Sequence, residues 1–121
     1  MKTCLVVDDS RVIRKVACRI LNELSFETEE AENVADALTA CHRHMPDVIL
    51  LDWQMPQMTG IDFLKSLRRD TKGHHPVVLF CITENDPAQI SEALGAGADE
   101  YILKPFDSSL IAAKLADVGL V

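Results

Sequence analysis

Five short strand-like segments alternate along the chain with segments of helical periodicity. They comprise residues 4–7, 26–30, 48–51, 77–82 and 100–103, and in the segments between them apolar residues recur at helical spacing. Strands that alternate with helices of this length indicate a parallel sheet with right-handed crossovers and helices on both faces. We therefore expect an α/β fold, a single doubly wound domain in which a strand–helix unit occurs five times.

Capping residues mark where several of these helices begin. Asn33, Asp86 and Asp107 carry side chains that accept hydrogen bonds from the first turn of a helix, and Pro87 suits a first helical position. The glycines at positions 95 and 97 favour the end of the fourth helix. We expect helices from about residues 10 to 24, 33 to 43, 61 to 69, 87 to 94 and 107 to 118.

Length and composition are those of one globular domain. A chain of 121 residues can bury about two-thirds of its unfolded surface without disulfides or metals, so we expect one domain over residues 1–121. We expect no output domain, and we expect the protein to be a monomer. Its longest apolar run is too short to span a bilayer, and no secretory signal precedes the first strand, which favours the cytoplasm. The net charge of −7 argues against binding to a nucleic-acid backbone.

Polar residues follow four of the five strands, at the edge of a parallel sheet where such folds bind ligands. Asp8 and Asp9 follow the first strand, Asp52 the third, Thr83 the fourth and Lys104 the fifth. Three converging carboxylates repel one another unless a cation offsets their charge, and Mg²⁺ prefers such oxygen ligands. An ionised aspartate can attack phosphorus when it is positioned and its charge neutralised. The pattern indicates a site for a phosphoryl group.

Each of these residues also has a purely structural interpretation. An adjacent pair such as Asp8 and Asp9 is common in a solvated turn, Thr83 suits the end of a strand, and Lys104 before Pro105 suits a surface turn. The four-part spacing is what favours a common site.

Four segments carry a resemblance to a known family. They are residues 5–15 (LVVDDSRVIRK), 47–64 (DVILLDWQMPQMTGIDFL), 76–86 (PVVLFCITEND) and 95–106 (GAGADEYILKPF). Together they make the chain resemble the receiver domains of bacterial two-component response regulators, among them the stand-alone chemotaxis regulators. The resemblance implies a five-stranded parallel sheet of flavodoxin-like strand order 2-1-3-4-5.

The resemblance also implies a phosphoacceptor and a metal site. Asp52 is then the residue that accepts the phosphoryl group. Asp9 is a direct Mg²⁺ ligand, Asp8 an indirect ligand through water, and Gln54 adds its backbone carbonyl. Mg²⁺ is the expected cofactor.

A switch is implied as well. Thr83 and Lys104 match the family's switch hydroxyl and its lysine, and Tyr101 matches an aromatic residue that changes between exposed and buried positions. Without the motif, Tyr101 would be an edge-strand aromatic packed on its neighbours. One residue departs from the family pattern: Glu84 stands where a small residue is usual, and its carboxylate would affect access to the phosphate and the lifetime of the phosphorylated state.

The expected function is that of a protein switch in chemotaxis or motility, and not of an enzyme, although phosphotransfer and dephosphorylation are self-catalysed. The donor is a phosphohistidine on a histidine kinase or a histidine phosphotransfer protein. The target protein binds residues 87–94, 100–103 and 108–118. The basic residues of the first helix guide the donor or form a solvated face; they are Arg11, Arg14, Lys15 and Arg19.

Other classes remain open. Phosphatases of the haloacid dehalogenase type also use an aspartate after a strand, but their second acid, two residues later, is replaced here by Gln54, and 121 residues leave no room for a substrate cap. A phosphate sink or phosphorelay shuttle, or a receiver-like module that binds partners without phosphorylation, are further alternatives.

Overall fold

One parallel sheet organises the protein. The computed structural model describes residues 1–52, 60–70, 72, 75–83 and 86–120. In these residues the strands are β1 (Thr3–Val7), β2 (Glu27–Ala31), β3 (Val48–Asp52), β4 (Val77–Ile82) and β5 (Glu100–Leu103). The helices are α1 (Arg11–Glu23), α2 (Val34–Arg43), α3 (Gly60–Arg69), α4 (Pro87–Ala96) and α5 (Ser108–Asp117).

The strand order is β2-β1-β3-β4-β5, and each neighbouring pair is parallel. Strand β1 pairs with β2 on one side and β3 on the other, so the chain winds outward from β1 in both directions. This confirms the predicted doubly wound α/β fold with order 2-1-3-4-5. It also sets the carboxyl ends of β1 and β3 side by side.

Helices cover both faces of the sheet. Alternate strand residues point to opposite faces, so Val6 and Leu50 pack with α1 and α5, whereas Leu5 and Leu51 pack with α2, α3 and α4. Strands buried on both faces explain why β3 and β4 are continuous apolar runs. Among the helices described, none combines the length and apolar character needed to cross a bilayer.

The predicted caps are confirmed. The side chain of Asn33 accepts a hydrogen bond from the amide of Asp36, that of Asp86 from Ala88, and that of Asp107 from Leu110. Helix α4 ends at Gly97, whose φ of 118° lies in the left-handed region that glycine adopts without strain.

Strand β2 begins one residue later than the sequence pattern predicts. Ser25 adopts a φ of 70° after the end of α1, and the amide of Phe26 donates to the carbonyl of Leu21 at 3.0 Å. Because that amide closes the helix end, Phe26 does not join the ladder, and the strand runs from Glu27 to Ala31.

The four cysteines are free and buried, two in strands and two in helices. Burial raises the pKa of the thiols of Cys4, Cys18 and Cys81, and raises that of Cys41 to about 11. The thiols therefore remain protonated at neutral pH.

Candidate functional site

Asp8 is fixed at the carboxyl end of β1 by bonds from several directions. Its amide donates to the carbonyl of Ala31 at 3.1 Å, which continues the pairing of β1 with β2. Its Oδ1 accepts from the amide of Ser10 at 2.8 Å, and the Ser10 hydroxyl in turn accepts from Ile13 to cap α1. The same short loop thus starts the helix and orients a carboxylate whose side chain is only 5% exposed.

Lys104 joins two carboxylates that come from different strands. Its ammonium donates to Asp8 Oδ2 at 2.8 Å and to Asp52 Oδ1 at 3.0 Å. Its amide bonds to the carbonyl of Ile82 at 2.8 Å, and the following bond to Pro105 is cis. Asp52 lies at the last position of β3 and is 7% exposed. The predicted convergence of Asp8, Asp52 and Lys104 is therefore confirmed.

The protonation state of Lys104 follows from these contacts. Burial alone would lower its pKa, but the hydrogen bonds to Asp8 and Asp52 and their negative charges raise the pKa above its usual value. Lys104 is consequently an ammonium at neutral pH, and it places one positive charge between two nearly buried negative ones.

The three acids can share a cation. Asp8, Asp9 and Asp52 each offer one carboxylate oxygen, and these oxygens all lie within 4.8 Å of one another. Asp8 and Asp52 are buried while Asp9 is exposed, so the cluster is open on the side of Asp9. Hard oxygen donors with an open side suit Mg²⁺, which binds one or two carboxylates and keeps water or phosphate oxygens as its other ligands. The residues present therefore fit the predicted metal.

The two residues predicted to form the switch lie just after β4 and on β5. Thr83 is exposed and directly follows β4, the strand beside β3. Tyr101 lies on β5 and is half-buried. Its ring centroid is 6.1 Å from that of Phe80, and the ammonium of Lys114 lies 4.5 Å from the Tyr101 centroid. Their roles as switch residues stay predictions.

Two further predictions fall outside the described residues. Gln54, expected to offer a backbone carbonyl to the metal, lies in the segment 53–59, and Glu84 lies in the segment 84–85. The roles assigned to both remain predictions from the sequence.

Arg14 belongs to the site, although the sequence pattern does not single it out. Its Nη1 donates to the backbone carbonyl of Asp8 at 2.7 Å, and its Nε donates to Glu30 Oε1 at 3.0 Å. Lys15, its neighbour, bonds Glu30 Oε2 at 2.8 Å and stays exposed. The basic side of α1 is thus divided: Arg14 turns toward the acids with a side chain 12% exposed, whereas Lys15 faces solvent.

Comparison with known proteins places the chain in a family. Residues 4–116 match the model of the response regulator receiver domain. The chain therefore belongs to the receiver domains of response regulators, as the resemblance of its motifs predicts.

The similar proteins include chemotaxis regulators. The chain is 36% identical over 115 residues to the chemotaxis protein CheY of Pseudomonas aeruginosa, covering 94% of this chain and 93% of that protein. It is 38% identical over 112 residues to CheY-3 of Vibrio cholerae, covering 92% and 86%. The crystallised CheY4 of Vibrio cholerae superposes with a TM-score of 0.93 at 32% identity, over 98% of each chain. The chain is a receiver domain of the CheY-like type.

Proposed function

We propose that this receiver domain is a phosphorylation-controlled switch in which Asp52 accepts a phosphoryl group in a Mg²⁺-dependent reaction. The observation that carries the proposal is the contact of the Lys104 ammonium with both Asp8 and Asp52, at 2.8 and 3.0 Å, inside a cluster of three acids. A partly buried ammonium that contacts two carboxylates offsets negative charge at the place where a phosphoryl group would add more negative charge.

The reaction needs few groups. One carboxylate oxygen of Asp52 attacks phosphorus, and the bond between phosphorus and the imidazole nitrogen of the donor phosphohistidine breaks. The electron pair of that bond stays on the imidazole, and Asp52 becomes an acyl phosphate. A carboxylate has no proton to lose before it attacks, so no general base is needed, and the rate depends on positioning and charge neutralisation.

Lys104 serves this step in two ways. Before transfer it orients the carboxylate of Asp52 by a hydrogen bond to Oδ1. After transfer its ammonium, which remains next to Asp8, pairs with an oxygen of the new phosphoryl group. When bound, Mg²⁺ supplies positive charge that offsets the phosphoryl oxygens and the acids. Phosphotransfer and later hydrolysis are thus catalysed by this chain, without a separate enzyme.

The phosphoryl group then acts on the neighbouring strands. Thr83 follows β4 and Tyr101 lies on β5, so a hydroxyl drawn toward the phosphate leaves space into which the tyrosine can turn. Such a change shifts a two-state equilibrium that a target protein reads by binding one state better. The surface concerned comprises residues 87–94, 100–103 and 108–118, on α4, β5 and α5.

The pathway is inferred from the similar proteins. Those of Pseudomonas aeruginosa and Vibrio cholerae are named chemotaxis proteins and are similar over nearly their whole length. We infer a role in chemotaxis or motility in the cytoplasm, with a histidine kinase or a histidine phosphotransfer protein as donor.

Intact mass and fluorescence test this function together. The protein is incubated with acetyl phosphate, with Mg²⁺ or with EDTA, and Asp52→Asn serves as the control. We expect the mass of one phosphoryl group to appear only with Mg²⁺ and only in the unmodified protein. Trp53 follows Asp52 in the sequence, so its fluorescence should change first with Mg²⁺ and again with the donor.

Two outcomes would contradict the proposal. An unchanged mass in Mg²⁺ would show that the acids do not accept phosphate, and would favour a module that binds partners without phosphorylation. Phosphorylation that changes neither fluorescence nor binding of a target would favour a phosphate sink or a shuttle.

A further inference from the structure

The peptide unit between Asp8 and Asp9 is held from outside the acid cluster. Its carbonyl oxygen, which belongs to Asp8, accepts a charge-assisted hydrogen bond from Arg14 Nη1 at 2.7 Å. The amide on the other end of the same planar unit belongs to Asp9. Rotation of this unit would move the backbone of Asp9, the exposed acid of the cluster. The bond from Arg14 therefore restrains the backbone direction at Asp9.

Other contacts hold Asp8 and the peptide unit that follows Asp9. The carboxylate of Asp8 accepts from Lys104 and from the amide of Ser10, which belongs to the peptide unit between Asp9 and Ser10, and the amide of Asp8 donates to the carbonyl of Ala31. The bond from Arg14 to the carbonyl of Asp8 holds the remaining peptide unit, the one between the two acids.

Arg14 is itself held in place. Its Nε donates to Glu30 Oε1 at 3.0 Å, and Lys15 binds the second oxygen of the same carboxylate. Glu30 lies on β2, the strand that pairs with β1, and Asp8 directly follows β1. The guanidinium is thus clamped between an edge strand and the loop after β1, with a side chain that is only 12% exposed.

We propose that Arg14 is a positioning residue for the metal: it holds the Asp8–Asp9 peptide unit so that the three carboxylates meet Mg²⁺ in the required geometry. This inference rests on the proposed Mg²⁺-dependent function. It assigns to one residue of α1 a role distinct from that of the solvated basic residues beside it.

Charge and geometry predict opposite effects of removing Arg14. A positive charge near the acids repels a divalent cation, so its loss tightens binding if only charge matters. If Arg14 positions Asp9, its loss weakens binding instead. Lys15 is the matched control because it carries the same charge, lies next in the sequence and binds the same Glu30. Its ammonium bonds the other oxygen of that carboxylate and is exposed.

The choice of cation separates positioning from general loosening. Mg²⁺ demands near-ideal octahedral geometry, whereas Ca²⁺ accepts flexible coordination. A site that keeps its three acids but loses their arrangement should therefore lose affinity for Mg²⁺ more than for Ca²⁺.

The experiment measures Mg²⁺ and Ca²⁺ affinities of the full chain by calorimetry, for the unmodified protein, Arg14→Gln, Arg14→Lys and Lys15→Gln. We expect Arg14→Gln to bind Mg²⁺ about tenfold more weakly, as for other residues that orient metal ligands, with a smaller loss for Ca²⁺. Arg14→Lys, which keeps the charge and a donor, should recover part of the loss. Lys15→Gln should bind Mg²⁺ as well as the unmodified protein or more tightly.

Three results would overturn the inference. They are Mg²⁺ binding by Arg14→Gln that is unchanged or tighter, equal losses for the two cations, and a loss in Lys15→Gln as large as that in Arg14→Gln. Circular dichroism checks that each variant is folded. If Arg14→Gln does not fold, Glu30→Ala takes its place, because it removes the acceptor that holds the guanidinium, and an unchanged preference for Mg²⁺ over Ca²⁺ in that variant overturns the inference. Failure of the unmodified protein to bind Mg²⁺ would contradict the proposed function itself, and this inference with it.

Discussion

Different kinds of contact hold the acids at the carboxyl ends of β1 and β3 and the side chain of Tyr101. Asp8 is bonded through its amide, its carbonyl and both carboxylate oxygens, at distances between 2.7 and 3.1 Å. Tyr101, on β5, contacts the ring of Phe80 and lies under the ammonium of Lys114. One region is fixed by directional bonds between charged groups, and the other by contacts between surfaces.

The difference matches the task that the proposed function gives to each region. Charge-assisted hydrogen bonds are strong and short, so they keep the acids in one arrangement before any ligand arrives. A cation–π contact at a half-exposed site contributes about 0.5–1 kcal/mol, which a phosphoryl group can outweigh. The proposed function needs both: a rigid place for chemistry and a side chain that can change position.

Lys104→Met removes the charge on which the rigid region depends, and we expect the largest effect here. Phosphorylation by acetyl phosphate should slow about 100-fold, in the range found when a group that stabilises transition-state charge is removed. Mg²⁺ should nevertheless bind more tightly, because the ammonium no longer competes for Asp8 and Asp52. Mass spectrometry gives the rate and calorimetry the affinity.

Lys72→Met is the matched control, since Lys72 is an exposed lysine outside the helices and strands. It should change neither quantity. Equal slowing in both variants, or weaker Mg²⁺ binding in Lys104→Met, would show that the site does not depend on the Lys104 bridge.

Lys114→Met tests the loosely held region. It removes the contact with the Tyr101 ring and the ion pair with Glu100, which spans 3.5 Å. The free energy of unfolding in urea should fall by about 0.5–1 kcal/mol, while the rate of phosphorylation of Asp52 stays within twofold. Lys114→Arg keeps a cation over the ring and should restore stability. A change of several-fold in the phosphorylation rate would mean that the two regions are not separable.

The smallest effect is a pH dependence at Glu30, on the far side of Arg14 from the acids. The hydrogen bond from Lys15, followed by that from Arg14, lowers the pKa of Glu30 below its usual 4.5, although partial burial opposes this. A lowered folded-state pKa gives stability that is present above pH 4.5 and is lost as the pH falls through the folded-state value.

Glu30→Gln lacks this contribution. Its unfolding free energy should lie below that of the unmodified protein by less than about 1 kcal/mol at pH 7, and the difference should shrink as the pH falls below 4.5. Urea unfolding at several pH values measures it. A difference that stays constant as the pH is lowered until the protein unfolds would show that the carboxylate charge of Glu30 does not contribute.

The sequence predicted the parts of the site that depend on strand order. Asp8, Asp52 and Lys104 each follow an apolar strand, and parallel strands end at one edge, so their convergence follows from topology. Caps such as Asn33 were predictable for a similar reason. A short polar side chain just before a helical pattern usually accepts a hydrogen bond from an amide of the first turn. In both cases the backbone alone brings the side chain to its place.

The contacts of Arg14 were not predictable in this way. Arg14 and Lys15 are adjacent, both basic and both on the polar side of α1, and helical periodicity assigns a residue only to a broad face. The length and fork of the guanidinium let Arg14 reach two acceptors at once, the carbonyl of Asp8 and the carboxylate of Glu30. The contact of Lys114 with the Tyr101 ring, which joins α5 to β5, was not predictable either. It depends on side-chain conformations, which the periodicity of a sequence does not determine.

Because its four cysteines are buried, the folded molecule should react slowly with thiol reagents. Because only thiolates react readily, and burial keeps these four thiols protonated and covered, modification requires the surrounding structure to open. Cys18 and Cys41 lie on α1 and α2, and Cys4 and Cys81 on the central strands β1 and β4. The labelling rate of each cysteine therefore measures how often the structure around it opens. Such openings range from helix fraying to global unfolding, and no added probe is needed to detect them.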